Sequence, residues 1–192
     1  MTTRQLFPTH FYEDQLGDAT LLAELDASCR QLAVDDRAGR AWAKAHGYRG
    51  YTSYASLDDL PRRDPAIAAL VGRLNRHVAG FARDCAFELA RPLRLDSLWV
   101  NLLKGGGAHS GHLHPHSAVS GTLYVAVPEG SGALKLEDPR LPMMMAAPER
   151  PDTFVYAEPT PGAVFLWESW LRHEVMPHAG RGERISVSFN YR

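Results

Sequence analysis

The stretch LRLDSLWVNL, residues 93–102, marks the point at which the periodicity of the sequence changes from helical to extended. Alternate residues fall on two faces of a strand, and the two sets are Leu93, Leu95, Ser97, Trp99 and Asn101, and Leu98, Val100 and Leu102. Large apolar side chains occur in both sets, which predicts a strand that is buried on both sides. Further strand-like runs follow, including SGTLYVAVP at 120–128 and RISVSFNY at 184–191, with turn signals but no helical segment between them.

Short strands without intervening helices are typical of a sandwich or barrel of antiparallel strands. Upstream of them, apolar residues with helical spacing predict a helix at 20–32 and a longer helix from Asp64 to about Leu89, which would start with an Asp-Pro cap. We expect both helices to pack on the outside of the strands. Residues 5–12 are predicted to form a short edge strand, and residues 38–61 are interpreted as irregular.

The size and charge of the chain favour one class of protein and exclude others. Its 192 residues, 45% of them hydrophobic, suit a single domain with residues 1–92 as the helical half and flanking strand, and 93–192 as most of the β core. A net charge of -1 provides no basic field for nucleic acid or an anionic membrane. Because membrane-spanning and signal-peptide patterns are also missing, we expect a cytoplasmic protein. Its exposed N-terminal edge strand could pair two copies into a homodimer.

Histidines are the most unusual feature of the chain. Five of the nine lie at His109, His112, His114, His116 and His173. In a strand, His112 and His114 would point to the same side and offer two imidazoles to one ion. Neutral imidazole suits iron, zinc, copper and nickel, whereas calcium and magnesium prefer oxygen ligands. The third ligand must come from elsewhere, and His173 is the best candidate, followed by His178.

An arginine follows His173 by eleven positions, in the run RISVSFNY. Arg184 and Ser186 fall on the same face of this predicted strand. A buried guanidinium beside a hydroxyl group is well suited to hold a carboxylate through charge-assisted hydrogen bonds, which points to a small diacid. The alternative is that Arg184 caps a strand end or forms an ordinary ion pair with Glu168 or Glu174.

Five short motifs occur in an order that resembles the iron(II) and 2-oxoglutarate-dependent oxygenases, especially a bacterial branch of that superfamily. These motifs are HLHP at 112–115, SGTLY at 120–124, DPR at 138–140, HEV at 173–175 and RISVSFN at 184–190. The resemblance covers about residues 98–191. It implies a double-stranded β-helix, a cupin-like jelly roll with a metal inside one mouth and the N-terminal helices outside. It also implies Fe(II) as the cofactor and 2-oxoglutarate as the co-substrate.

The resemblance also implies roles for individual residues. The residues that would hold the metal are His112, His114 and His173. Those that would bind 2-oxoglutarate are Arg184, Ser186 and Tyr124. Residues expected to contact the substrate or support the site are Asn101, Ser120, Asp138 and Asn190. Most of the wider family has an acid where this chain has His114, so the three neutral imidazoles leave the ion its full double charge, which a dianionic co-substrate can compensate.

Three functional hypotheses follow from these residues. The first is an Fe(II)/2-oxoglutarate-dependent dioxygenase of the hydroxylase type, which converts 2-oxoglutarate to succinate. The second is a cupin-like three-histidine dioxygenase or isomerase that does not use 2-oxoglutarate, in which Arg184 binds the carboxylate of the substrate itself. The third is a non-catalytic metal-binding module. The sequence does not specify the substrate, which could be a small molecule or a peptide.

Overall fold

The predicted strand at 93–102 is present in the computed structural model, which describes residues 2–140, 145–146, 148 and 150–192. The helices of the described residues are α1 (Ala19–Asp35), α2 (Arg37–Ala45), α3 (Leu60–Arg63) and α4 (Pro65–Asp84). The strands are β1 (Phe11–Gln15), β2 (Gly50–Thr52), β3 (Leu95–Leu103), β4 (His109–His112), β5 (Val119–Ala126), β6 (Leu134–Glu137), β7 (Phe154–Ala157), β8 (Ala163–Glu168), β9 (His173–Val175) and β10 (Arg184–Tyr191).

The strands form two antiparallel sheets. The six-stranded sheet has the order β1-β8-β5-β10-β3-β2, and the four-stranded sheet has the order β4-β9-β6-β7. This arrangement confirms the predicted core of antiparallel strands, with helices against the outer face of the larger sheet. The edge strand β1 leaves one side unpaired within the described chain, and a homodimer through that edge stays a prediction.

The central strand β10 separates two hydrophobic regions. Its residues Ile185, Val187 and Phe189 are fully buried and pack with the helices in the outer core. The inner core lies between the two sheets and includes Tyr124 and Trp167. Because side chains alternate along a strand, Arg184, Ser186 and Ser188 point the opposite way and face the space between the sheets.

Helix α4 belongs, with α1, to the outer core that covers the larger sheet. Its apolar stripe is buried as predicted, with Ile67, Leu70 and Leu74 fully inaccessible to solvent. Asp64 caps it, since its carboxylate accepts hydrogen bonds from the backbone amides of Ala66 (2.8 Å) and Ile67 (3.0 Å). None of the described helices is long and apolar enough to cross a membrane.

Several element boundaries differ from the prediction. Helix α4 ends at Asp84, because Ala86 adopts a φ of +53° that a helix cannot include, and Leu89 is exposed. Asp18, not Thr20, caps α1, by accepting a hydrogen bond from the amide of Leu21 at 3.0 Å. The N-terminal strand lies at Phe11–Gln15 instead of 5–12.

The interpretation of residues 38–61 as irregular was wrong. This segment contains most of α2, all of β2 and the first residues of α3. Strand β2 has only three residues, too few to show an alternating hydrophobic pattern in the sequence. It forms because its backbone pairs with Leu102 and its neighbours in β3. Asp36 stabilises the segment by capping α2 at the amide of Gly39 and by accepting a hydrogen bond from Tyr51 at 3.0 Å.

Candidate metal centre and co-substrate cavity

Three histidines meet in the space between the sheets. One ring nitrogen from each of His112, His114 and His173 lies within 4.8 Å of the other two. The ring centroids of His112 and His173 are 4.3 Å apart, and those of His114 and His173 are 5.3 Å apart. The structure thus brings together the three residues that the sequence nominates as ligands, in an arrangement that can hold one transition-metal ion.

Two of these rings are oriented by hydrogen bonds to the backbone. His112 ends β4 and lies opposite His173 of β9 in the antiparallel register. Nδ1 of His112 is 2.7 Å from the carbonyl oxygen of Ser110, and Nδ1 of His173 is 2.9 Å from that of Leu171. Donation from Nδ1–H fixes the tautomer and leaves the Nε2 lone pair for a metal, as in many histidine metal sites.

His114 reaches the cluster in a different way from the one predicted. Strand β4 ends at His112, so the two histidines do not occupy successive rungs of one strand. A register irregularity between His109 and His112 bends the chain, and the backbone amide of His114 donates to the carbonyl of Ser169 at 3.0 Å. The placement of His114 on β4 was therefore wrong, although its ring still joins the cluster.

The surroundings keep the imidazoles of His114 and His173 neutral. Burial, together with the neighbouring His112, lowers the pKa of His173 to about 3. Burial likewise lowers the pKa of His114 to about 4, again with a contribution from His112. Neutral imidazole is the form that coordinates a metal, so His114 and His173 can bind an ion without prior loss of a proton.

Arg184 lies in the same cavity and has no partner of opposite charge. It is 1% exposed, and no ion pair or hydrogen bond of its side chain occurs within the described residues. Its guanidinium carbon is 4.8 Å from the centre of the Tyr124 ring. Glu174 instead pairs with Lys135, at 3.2 Å. The alternative of an ordinary ion pair for Arg184 is therefore wrong for the part of the chain that the structure covers.

Unpaired polar atoms point to a ligand of acidic character beside Arg184. Its Nε and the hydroxyl of Tyr124 are both buried without a hydrogen-bond partner. Burial raises the pKa of Tyr124, against the opposing effect of the Arg184 charge, so the phenol keeps its proton and can donate it. Because buried donors are normally paired, this set fits the carboxylate of a ligand such as 2-oxoglutarate.

One cavity of about 520 Å³ connects the histidine cluster with Arg184. Eight of the residues that the sequence nominates line it: Asn101, His112, His114, Ser120, Tyr124, His173, Arg184 and Ser186. The volume is within the range typical of small-molecule sites. It is therefore large enough for a co-substrate and part of a substrate.

A polar wall of the cavity includes residues that the sequence did not reveal. The hydroxyl of Tyr48 lies 2.7 Å from Nε2 of His109 and donates to Oδ1 of Asn101 at 3.2 Å. Thr52 donates to the same oxygen at 2.9 Å, and Nδ2 of Asn101 donates to Ser188 at 3.1 Å. Both the Oδ1 and the Nδ2 atoms of Asn101 thus form hydrogen bonds. His109 belongs to the histidine-rich segment, but no local pattern links Tyr48 and Thr52 to the site.

Two further candidates lie outside the cavity lining. Asn190 supports the wall, because its Oδ1 accepts a hydrogen bond from Ser120 at 2.8 Å. Asp138 does not reach the site, since its carboxylate is held by Arg140, whose side chain lies 2.7 Å away and whose backbone amide donates at 3.0 Å. The expectation that Asp138 contacts the substrate or supports the metal is corrected: it fixes a turn.

The remaining metal-ligand candidate is also excluded by its contacts. His178 is fully buried, and its Nε2 lies 2.7 Å from the carbonyl oxygen of Gly182. It does not line the cavity. Within the described residues, no aspartate or glutamate lines the cavity either, so the candidate metal ligands are three neutral imidazoles.

Comparisons with known proteins agree with this site. Residues 97–190 match the family described as "Putative 2OG-Fe(II) oxygenase". The solved structure of the non-heme alpha ketoglutarate dependent epimerase SnoN, from nogalamycin biosynthesis, is similar over 95% of this chain and 76% of its own, with a TM-score of 0.67 and 15% identity. A Pseudomonas putida prolyl-4-hydroxylase is similar over 96% and 92%, respectively, with a TM-score of 0.63 and 16% identity.

A third solved structure, HygX from Streptomyces hygroscopicus with nickel and 2-oxoglutarate bound, is similar over 95% of this chain and 81% of its own, with a TM-score of 0.61 and 16% identity. No curated protein sequence matches the chain significantly. At these identities the structural likeness establishes the fold, which is the double-stranded β-helix that the sequence predicted.

Residues 97–190, just under half of the chain, thus match the 2OG-Fe(II) oxygenases. This family consists of non-haem iron enzymes that depend on Fe(II) and 2-oxoglutarate. The family match agrees with the predicted family, enzyme class and cofactors, and the structural likeness confirms the predicted fold class.

Proposed function

We propose that this protein is a dioxygenase of the hydroxylase type, in which His112, His114 and His173 hold Fe(II). In this proposal Arg184 binds the distal carboxylate of 2-oxoglutarate, and Tyr124 and Ser186 donate further hydrogen bonds to it. When bound, the iron supplies the activation of dioxygen, coupled to decarboxylation of 2-oxoglutarate to succinate and insertion of one oxygen atom into the substrate. The protein's own residues bind, orient and shield the reactants.

The unpaired guanidinium of Arg184 carries this proposal. Burial of a charge without a partner destabilises a protein by several kcal/mol, so such a residue is retained where a ligand neutralises it. Its cavity also contains the three histidines, which places an anion-binding group and candidate metal ligands around one enclosed volume. A diacid could bind the metal through one end and form an ion pair with Arg184 through its other carboxylate.

The charges of the cavity favour a dianionic co-substrate. Three neutral imidazoles leave the double positive charge of the metal ion unreduced, and Arg184 adds a further positive charge. Since no carboxylate lines the cavity within the described residues, the negative charges must come from the ligand. We therefore expect 2-oxoglutarate to bind far more tightly than a monoanionic analogue that lacks the distal carboxylate.

The substrate is proposed to enter along a path of aromatic rings. Tyr54 is 63% exposed, and its ring packs edge-on against Trp99, at 5.3 Å between centroids. Trp99 in turn lies 5.9 Å from the ring of His114, so the path leads from solvent to the histidine cluster. No lysine or acid lines the cavity in the described residues. These features favour a substrate whose reacting part is neutral and presents an apolar or ring surface.

The test is an anaerobic titration of the Fe(II)-loaded protein with 2-oxoglutarate. We expect a visible metal-to-ligand charge-transfer band in the wild type and in Arg192→Met, a matched control on an exposed arginine that pairs with Asp96. Arg184→Met should weaken 2-oxoglutarate binding by about 30-fold or more, the usual result of removing one partner of a buried charge pair. A wild-type protein that gives neither this band nor succinate would refute the proposal.

A second candidate function is a three-histidine metal dioxygenase or isomerase that does not use 2-oxoglutarate. The observation that favours it is that, among the described residues, no carboxylate belongs to the cluster of His112, His114 and His173. In that case Arg184 would bind the carboxylate of the substrate. The same variant separates the two functions, because Arg184→Met would then weaken only the binding of a carboxylate-bearing substrate, and 2-oxoglutarate would have no effect on either protein.

A further inference from the structure

A second cluster of metal-ligating side chains lies outside the cavity between the sheets. His10, Cys85 and Glu168 each offer one ligand atom, and these three atoms lie within 4.8 Å of one another. All three residues are half-buried, so their polar atoms are partly shielded and still reachable from solvent. None of them lines the cavity that contains the three histidines and Arg184.

The β-sheet register brings two of these residues together. Phe11 of β1 pairs with Trp167 of β8, so the next position of this antiparallel register sets His10 opposite Glu168. Residues opposite each other in such a pair lie on the same face of the sheet. Trp167 faces the histidine cavity, whereas Glu168, as the next residue along the strand, faces the opposite side, which the helices cover.

Helix α4 provides the third residue. Cys85 directly follows the last residue of α4 and is its C-cap. Tyr12, two residues after His10, packs against Phe81 of the same helix, with 6.1 Å between ring centroids, so this end of α4 lies over the start of β1. The cluster therefore joins three segments that are far apart in the sequence. Partial negative charge at the end of a helix favours a cation there.

We propose that His10, Cys85 and Glu168 bind one Zn²⁺ ion, with solvent as the fourth ligand. Imidazole, thiolate and carboxylate are the ligand types of zinc, and the sulfur excludes calcium and magnesium. The bound ion would cross-link the start of β1 and the C-terminal end of α4 to the end of β8.

Competing explanations for the three side chains are few. Cys85 is a free thiol, and the other cysteine, Cys29, is fully buried in the outer core, so no disulfide uses Cys85. Within the described part of the chain, no lysine or arginine forms an ion pair with Glu168. Zinc binding displaces the thiol proton, and the thiolate and carboxylate together then balance the double charge of the ion.

Cobalt(II) is the probe that distinguishes this site from the three-histidine site. Metal-free protein is titrated with Co²⁺ under anaerobic conditions, and thiolate-to-cobalt charge transfer is followed in the near ultraviolet. A three-histidine site contains no sulfur and cannot produce this absorption. We expect the band in the wild type, in His112→Ala and in Cys29→Ala, the matched control for the second cysteine. Cys85→Ala should lack the band, and Zn²⁺ should displace the cobalt that produces it.

Zinc stoichiometry provides the second measurement. The wild type should retain two equivalents of Zn²⁺ after gel filtration, and Cys85→Ala should retain one. His10→Ala and Glu168→Gln keep the thiol and should weaken zinc binding at this site by more than about 10-fold, which tests the cluster even if Cys85→Ala folds poorly. A wild type without the charge-transfer band, or a band that persists in Cys85→Ala, would overturn the proposal.

Discussion

The two faces of the six-stranded sheet are built from the same strands and serve opposite purposes. On the outer face, Ile185, Val187 and Phe189 of β10 are fully buried against apolar side chains of the sheet and helices. On the inner face of the same strand, Arg184 and Ser186 are equally inaccessible, but they border a cavity. Because successive side chains of β10 point to opposite faces of the sheet, one strand borders both the apolar core and the polar site.

This contrast assigns stability to one face and function to the other. The outer face buries apolar area, and burial of a leucine or isoleucine side chain contributes about 1.5–3 kcal/mol. Among the described residues, the inner face contains an unpaired guanidinium, an unpaired phenol and two histidines, His114 and His173, whose burial disfavours their charged forms. We therefore expect substitutions on the outer face to change the free energy of unfolding, and those on the inner face to change ligand binding.

The largest effect is expected at the inner face, for His173→Ala. Loss of one of three neutral ligands should remove iron from the purified protein and reduce turnover to background, because the remaining two imidazoles cannot complete the site. Iron content and succinate formation are the measurements. His116→Ala is the matched control, since this exposed histidine lies in the same segment outside the cluster. Equal iron content in both variants would contradict the assignment of His173 as a metal ligand.

The outer face should respond in the opposite way. Leu70→Ala in α4 removes a fully buried side chain from the helix-covered core and should lower the free energy of unfolding by about 2–5 kcal/mol. Iron stoichiometry and the affinity for 2-oxoglutarate of the folded variant should equal those of the wild type. Chemical denaturation and anaerobic titration measure the two quantities. A variant that keeps its stability but loses iron would contradict the division between the faces.

In the metal-free protein, a substitution on the inner face should not lower the free energy of unfolding, in contrast to Leu70→Ala on the outer face. Arg184→Met replaces an unpaired buried charge with an apolar side chain of similar length, so it should leave the unfolding free energy unchanged or raise it by up to about 4 kcal/mol. Denaturation of metal-free protein without 2-oxoglutarate is the measurement, with Arg192→Met as the control. A marked loss of stability would indicate that Arg184 contributes to the fold and has a partner in the protein.

The sequence predicted the features that depend on local periodicity. The strands around Trp99 and Ser186, the apolar stripe of α4 and the Asp64 cap all follow from the spacing of residues close together in the chain. The three histidines were found because H-x-H is a rare pattern and the distal His173 follows in a recognisable order. Where residue type and spacing carry the information, the prediction matches the structure.

The errors arise where the structure depends on distant contacts. Tyr48 and Thr52 reach the cavity because β2 pairs with β3, about fifty residues away, and no local pattern indicates this pairing. His114 leaves the strand because β4 stops pairing with β9 at His112. Asp138 was nominated from a motif, but its position beside Arg140 decides its role. Such contacts are properties of the tertiary structure.

The smallest effect is expected at the start of α4, which belongs to the outer face although it is polar. Asp64→Ala removes a carboxylate that accepts two amide hydrogen bonds, at 2.8 and 3.0 Å, and should lower the free energy of unfolding by about 1 kcal/mol. Asp64→Asn retains an acceptor and should recover most of that loss, which separates capping from charge. Urea denaturation measures all three proteins. If Asp64→Ala instead weakened binding of 2-oxoglutarate, the outer face would also affect ligand binding in the cavity. The division of stability and ligand binding between the two faces would then be wrong for α4.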